Sequence, residues 1–288
     1  MANILSDLLR RGPQTISPTA HYTGYVWARQ GLGPKQLATP EGLLFFQGLQ
    51  PLMTVNGLIG GPTVEGFLLA RHRLIDLLLT GAIEDGRVTQ VVEIAAGMSP
   101  RGQRFAEAYG DRITYVEADL PGMAARKRDA LKKLGSLGDH HQVVDIDALQ
   151  DVGPDSLAVL TAGLDPTQGI AFITEGLLNY LSPDDVRGLC ARIATAGHGF
   201  TDAVYLSDLH LAGENAGLLT KVFSLALGTF VRGKLHFHFE DVAEAESELL
   251  QAGFDSATLH LPAEFADRIP GADSSNARGV RVVEARIG

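Results

Sequence analysis

Val91-Val92-Glu93-Ile94-Ala95-Ala96-Gly97-Met98-Ser99-Pro100-Arg101-Gly102 reads as strand, turn and helix. Gln90–Ile94 is a short apolar run of strand length. Small residues at 95–97 let a ligand approach the backbone, and the helix opening near Pro100 offers unpaired N–H groups to it. The stretch is neither the GxGxxG of a dinucleotide binder nor a GxxxxGK[ST] phosphate loop. It marks a small-molecule site at the first strand–helix turn.

The pattern repeats outward from there. Strands are expected at Arg112–Val116, His141–Val144, Ile170–Thr174 and Gly199–Leu206. Helices are expected at about Pro100–Tyr109 and Pro121–Leu134. A further helix begins with Ser182 as N-cap and Pro183 in the first turn, with Asp184 and Asp185 at its positive end. Upstream, Val64, Phe67, Leu68, Leu74, Ile75 and Leu78 form one helical stripe that Gly81 is expected to end. Arg71 lies on or beside that stripe, either snorkelling at the helix edge or held inward to meet an anion. Downstream, Val242–Ala252 reads as a helix, and Thr258–Leu261 and Val280–Ala285 as strands joined without a crossover helix. Such a pair is antiparallel. Strands alternating with helices give a doubly wound, mostly parallel sheet whose ligand edge is the strands' C-terminal end.

The 288 residues give a net charge of −10, which argues against a general nucleic-acid binder. The single cysteine, Cys190, excludes an intrachain disulfide and cysteine-rich zinc sites. The apolar stretches are broken well before the roughly 20 residues of a membrane span, and Met1–Arg11 lacks the apolar core of a secretory signal. A soluble cytoplasmic protein is expected.

Residues 1–63, rich in Gly and Pro, are expected to form a helical cover, with the main domain at 64–288. Residues 207–239 interrupt the alternation with an apolar helical segment that includes Leu218, Leu219, Val222, Phe223, Phe230 and Val231, a lid or an oligomer contact. His236 and His238 at spacing two would share one face of a strand, but no third ligand presents itself and no metal is expected.

Acids recur along the strands: Glu93 in the first, Glu117 and Asp119 in the second, Asp145 and Asp147 after the third, and Glu175 after the fourth. All but Glu93 fall at the ligand edge. Clustered carboxylates without partners repel, and a ligand with a ribose and a positive centre would explain them. S-adenosylmethionine, whose sulfonium is cationic, is such a ligand, and Arg71 would then pair with its carboxylate.

Four blocks carry a family resemblance. They are Gly66, Phe67, Ala70-Arg71 and Ile75-Asp76; Val91–Met98 with Arg101 and Arg104; Tyr115-Val116-Glu117-Ala118-Asp119-Leu120-Pro121 with Arg126-Lys127; and Thr174-Glu175-Gly176-Leu177-Leu178-Asn179-Tyr180-Leu181-Ser182-Pro183. In this order they resemble the leucine carboxyl methyltransferase family, including its bacterial branch of tetracenomycin-type polyketide O-methyltransferases. The resemblance implies a Rossmann-like class I methyltransferase fold, seven-stranded with the last strand antiparallel. It implies that Arg71 binds the cofactor carboxylate and that Ala95-Ala96-Gly97 is the cofactor turn. Asp119 would hold the ribose, with Glu117 as substitute. Asp145 and Ile146 match the adenine-contacting pair, and Glu175 an acid near the methionine end. Glu93 is counted among the cofactor-binding residues. Ala95 stands where the family has Gly, and Ser99 where it has an acid.

The expected activity is O-methylation of a carboxylate or hydroxyl on a hydrophobic small molecule, in specialised metabolism. A phenol or enol acceptor needs a base, and His210, Tyr180 and His238 are the candidate catalytic residues, with His236 a further histidine in that region. Asn179 and Tyr205 are candidate pocket residues. Alternatives are methylation of a protein C-terminal carboxylate, with Lys221, Arg232 and Lys234 receiving the peptide end, an NAD-type oxidoreductase, and a non-catalytic cofactor-binding protein. The chain is expected as a monomer or homo-oligomer.

Overall fold

The computed structural model describes residues 18–48, 64–215, 236–270, 272 and 279–288. The apolar segment beginning at Leu218, together with Lys221, Arg232 and Lys234, lies outside them.

Seven strands form one sheet in the order β3-β2-β1-β4-β5-β7-β6. They are β1 (Gln90–Ile94), β2 (Thr114–Asp119), β3 (His141–Asp145), β4 (Ile170–Thr174), β5 (Ala203–Leu209), β6 (Ser256–His260) and β7 (Arg281–Ile287). β1 pairs in parallel with both β2 and β4, and β7 runs antiparallel to β5 and β6. The expected architecture, with its antiparallel last strand, is the observed one.

The period of two explains the layers. Val92, Ile94, Val116, Phe172 and Tyr205 enter one core, packed under Leu189, Ile193 and Leu249. Val91, Tyr115, Ala171, Ile173 and Val204 enter the other, under Leu74, Ile75 and Leu79. A parallel sheet covered on both faces needs such continuous apolar strands. The second layer is built on α2 (Val64–Glu84) and α3 (Arg101–Tyr109), and the first on α6 (Pro183–Gly197) and α7 (Val242–Gln251). Between them in sequence lie α4 (Pro121–Leu134) and the short α5 (Leu157–Ala162). Ahead of them all, α1 (Pro18–Arg29) packs Tyr22, Val26 and Trp27 against Phe67 and Leu68 of α2.

Local signals fix the ends. Pro121 opens α4, and Gly135 closes it at φ 66° in the left-handed region. The Ser182 hydroxyl accepts from the Asp185 N–H at 3.2 Å and caps α6. Two boundaries differ from expectation in a way that matters. Gly81 does not end α2, which continues to Glu84 and turns at Gly86, φ 74°. β5 begins at Ala203 and runs on to Leu209, because it pairs with β7 as far as Leu209 opposite Arg281. The extension places Ser207 and Asp208 inside the strand. Residues 236–239 form no strand, yet the rings of His236 and His238 still stack 5.8 Å apart.

Candidate functional site

The turn after β1 is built on two left-handed residues, Ala95 at φ 54° and Gly97 at φ 51°. Ala95 accepts a conformation that favours glycine. The Ala96 N–H donates to Ala118 O at 3.2 Å, tying the turn to β2. The Gly97 N–H donates to Asp119 Oδ2 at 2.7 Å, and the Leu120 N–H to Asp119 Oδ1 at 2.8 Å. Burial pushes the Asp119 carboxyl up to about 6, against the pull of these two N–H groups. Asp119 therefore stands at the C-terminal end of β2, directly beside the turn.

Asp145 pairs in register with Asp119 on β3 and is held by Arg128 at 2.6 Å. Ile146 follows it, buried, its N–H donating to Asp119 O at 2.9 Å. These residues share one edge with the turn, as the sequence suggested.

Arg71 resolves to the inward alternative. It is 7% exposed, and its Nη1 donates to Asp208 Oδ2 at 2.8 Å and its Nε to Glu175 Oε1 at 3.2 Å. Burial opposes its charge, but Asp208 and Glu175 together raise its pKa. Gly176, φ 69°, lies against the guanidinium so closely that a Cβ there would sit 2.7 Å from Nη2. Glu175 also accepts from Arg101 Nη2 at 2.5 Å. Burial favours its neutral form, yet His72, Arg101 and Arg71 hold it well below the usual carboxylate range.

Glu93 and Glu117 point elsewhere. Glu93 is 1% exposed, accepting from Arg101 Nη1 and the Tyr115 hydroxyl, each at 2.7 Å. Glu117 is equally buried, against Lys127 and His141. Both side chains are held in the interior, and Glu117 lies against Gly102 of α3, where a Cβ would come within 2.5 Å of its Cδ.

The three candidate catalytic residues divide. Tyr180 bonds the Thr19 side chain and feels the charges of Arg71 and Asp208; burial raises its pKa. His210 stacks on Phe67 at 4.8 Å and its Nδ1 lies 3.0 Å from Gly279 O. A carbonyl only accepts, so Nδ1 carries the proton. Burial lowers the His210 pKa, with Asp208 opposing. His238 is turned toward Leu178 O, 2.8 Å from Nε2, and the charges it feels are His236 and Arg187. Tyr180 and His210 thus gather around Arg71 and Asp208, and His238 does not. Asn179 is buried at the same edge, whereas Tyr205 lies in the core with its hydroxyl 2.6 Å from Thr174 Oγ1.

The sequence reading missed Asp208, His72 and Trp27. Asp208 continues the row of acids onto β5; a strand ending at Leu206 left it outside the pattern. The Trp27 indole nitrogen lies 2.7 Å from His72 Nδ1, bringing α1 onto the buried charges. Among the described residues no group of three or more His, Cys, Asp or Glu side chains is arranged to hold a metal. No described helix is long and apolar enough to cross a membrane.

Comparison with known proteins bears on this edge. A protein named "Putative S-adenosyl-L-methionine-dependent methyltransferase" from Mycolicibacterium gilvum is 37% identical over 117 residues, 41% of this chain and 36% of that protein. A similarly named Streptomyces coelicolor protein is 35% identical over 126 residues, 44% of this chain and 43% of its own. The matched part of the chain thus spans well under half the length of either relative. A solved structure titled a putative methyltransferase from Thermobifida fusca superposes with a TM-score of 0.64 at 12% identity, covering 93% of both chains. A putative O-methyltransferase from Nostoc punctiforme superposes at 0.51 and 14% identity, covering 88% of this chain and 71% of its own. These two share the fold. The family model of leucine carboxyl methyltransferase matches residues 50–194, slightly more than half the chain and the whole of the Arg71, Gly97, Asp119 and Glu175 edge. The chain belongs to the leucine carboxyl methyltransferase family.

Proposed function

We propose that the protein is an S-adenosylmethionine-dependent methyltransferase acting on an oxygen, carboxylate or hydroxyl, of a hydrophobic small molecule in specialised metabolism. One observation carries the reading: a buried arginine with two acids, Arg71, Glu175 and Asp208, shares the sheet's C-terminal edge with a small-residue turn hydrogen-bonded to Asp119. The residues fit the cofactor. At Gly176 the absence of a Cβ, which would sit 2.7 Å from Nη2, leaves that side of the Arg71 guanidinium open for a ligand carboxylate. Asp119 uses one lone pair of each oxygen on backbone N–H groups and retains acceptor capacity for a ribose hydroxyl. Ile146 supplies an apolar neighbour for an adenine ring, with Asp145 beside it.

When bound, S-adenosylmethionine supplies a methyl carbon activated by its sulfonium. The protein's part is alignment and exclusion of water. Arg71, Glu175 and Asp208 fix the methionine end, and α1 covers the turn, with Ala20 against Gly97. His210 is our choice for the base where the acceptor is a hydroxyl. Its Nε2 lies 3.9 Å from Asp208 Oδ2, a carboxylate that would stabilise the imidazolium formed on taking a proton. We place the protein in the cytoplasm, where a lone buried cysteine stays reduced.

Calorimetric titration with S-adenosylhomocysteine, with NAD as control, tests the cofactor. Methyl release across small phenols, carboxylic acids and peptides ending in a free carboxylate tests the acceptor. Saturable NAD binding without S-adenosylhomocysteine binding would overturn the reading. Turnover confined to the peptides would move it to a protein C-terminal carboxylate.

A further inference from the structure

Behind the 95–97 turn lies a second group of ionisable side chains that cofactor contact does not use. Lys127 of α4 is 1% exposed and ion-paired with the equally buried Glu117 of β2. Glu117 Oε1 lies 2.6 Å from His141 Nε2 on β3, and His141 Nδ1 lies 2.8 Å from Ser136 O. The carbonyl only accepts, so Nδ1 carries a proton and a second proton is shared between Nε2 and Glu117. Glu93 of β1 and Arg101 of α3 complete the charged surroundings, and burial pulls the Lys127 ammonium down to about 7. Lysine is a costly choice for such a place.

What it reaches is the Ala96 carbonyl, 3.3 Å from Nζ. The same oxygen accepts from the Ser99 N–H at 3.0 Å. Ala96 C=O and Gly97 N–H belong to one planar peptide unit, and that N–H holds Asp119. One rigid plate is therefore gripped by Lys127 and Ser99 at its oxygen and by Asp119 at its hydrogen. It ends at Gly97, φ 51°, a residue type with wide backbone freedom, so these contacts are what hold the plate in place.

We propose that Lys127, backed by Glu117 and His141, is a positioning residue for cofactor binding: it anchors the Ala96–Gly97 peptide and through it the Asp119 carboxylate. This rests on the cofactor reading above.

The test is a titration with S-adenosylhomocysteine of wild type, Lys127→Met, Lys127→Met/Glu117→Gln, Asp119→Asn and Lys127→Met/Asp119→Asn, with thermal unfolding of each. The Glu117→Gln partner removes the buried carboxylate that Lys127→Met leaves with His141 alone, so a folded variant is available if the single one is lost. We expect Kd to rise about tenfold in the folded Lys127 variants, but less than about twofold when Lys127→Met is added to Asp119→Asn, because the two act as one unit. Wild-type Kd in a folded Lys127 variant, with only a lowered Tm, would overturn the proposal and leave the cofactor reading standing. Additive losses would overturn the route through Asp119. A wild type that does not bind would overturn both.

Discussion

Asn179 and His236 exchange two hydrogen bonds: the His236 N–H donates to Asn179 O at 2.9 Å, and Asn179 Nδ2 donates to His236 O at 2.7 Å. The pair joins the loop after β4 to the residues that lead into Phe239 and α7. It fixes one end of the segment between β5 and α7 against the edge that carries Glu175. Asn is suited to this because its side-chain NH2 donates while its backbone carbonyl accepts.

Replacing Asn179 with Ala removes the side-chain bond and leaves the His236 carbonyl unpaired in a half-buried place. The expected loss is about 1–3 kcal/mol of unfolding free energy, read by urea denaturation. The backbone bond survives, and the cofactor edge on β1 and β2 is untouched, so the Kd for S-adenosylhomocysteine should stay near wild type. A Kd shift as large as that of Asp119→Asn would show that the loop belongs to the cofactor site instead.

Gly102 offers a test of opposite intuition. It is the second residue of α3, where Ala should gain up to about 1 kcal/mol of helix propensity. Yet a Cβ there would lie 2.5 Å from Glu117 Cδ, and Glu117 is locked between Lys127 and His141. Overpacking of this kind costs about 1–3 kcal/mol, so Gly102→Ala should destabilise on balance, measured by the shift of the urea midpoint. A more stable variant would mean that Glu117 moves aside easily.

The strands, their alternation and the antiparallel end were legible because the period of two and the Gly, Pro and Ser punctuation are local properties. Asp119, Arg71 and Glu175 were legible as a pattern in the sequence. What was not legible is which acids turn inward. Glu93 and Glu117 sit on strands like Asp119, and their direction is decided by Arg101, Lys127 and the space at Gly102, all brought close only by folding. Asp208 was hidden for the same reason: the length of β5 is set by its pairing with β7, distant in sequence.

Arg71 separates two buried carboxylates, Glu175 and Asp208, which without it would face one another. Arg71→Met should therefore cost about 3–5 kcal/mol of stability, as breaking a buried pair from one side does. Adding Asp208→Asn should recover part of that loss, while S-adenosylhomocysteine binding stays impaired in both. Guanidinium denaturation and calorimetry read the two effects separately. Recovery of binding together with stability would remove Arg71 from the cofactor site.

Asp119 makes the site sensitive to pH. Its carboxyl is raised from 3.8 to about 6 in the folded protein. Between those values the native state holds a proton that the unfolded state has released. The cofactor-free protein therefore gains stability from this group as pH falls through about 6, and loses that contribution as pH rises again. Cofactor binding runs the other way. A ribose hydroxyl needs the ionised carboxylate as acceptor, so Kd for S-adenosylhomocysteine should be flat above about pH 7 and rise about tenfold per unit below pH 6. Asp119→Asn should bind more weakly throughout and lose the pH step. Calorimetry from pH 5 to 8 at constant ionic strength reads both. A wild-type Kd that does not change across that range would take Asp119 out of the cofactor contact.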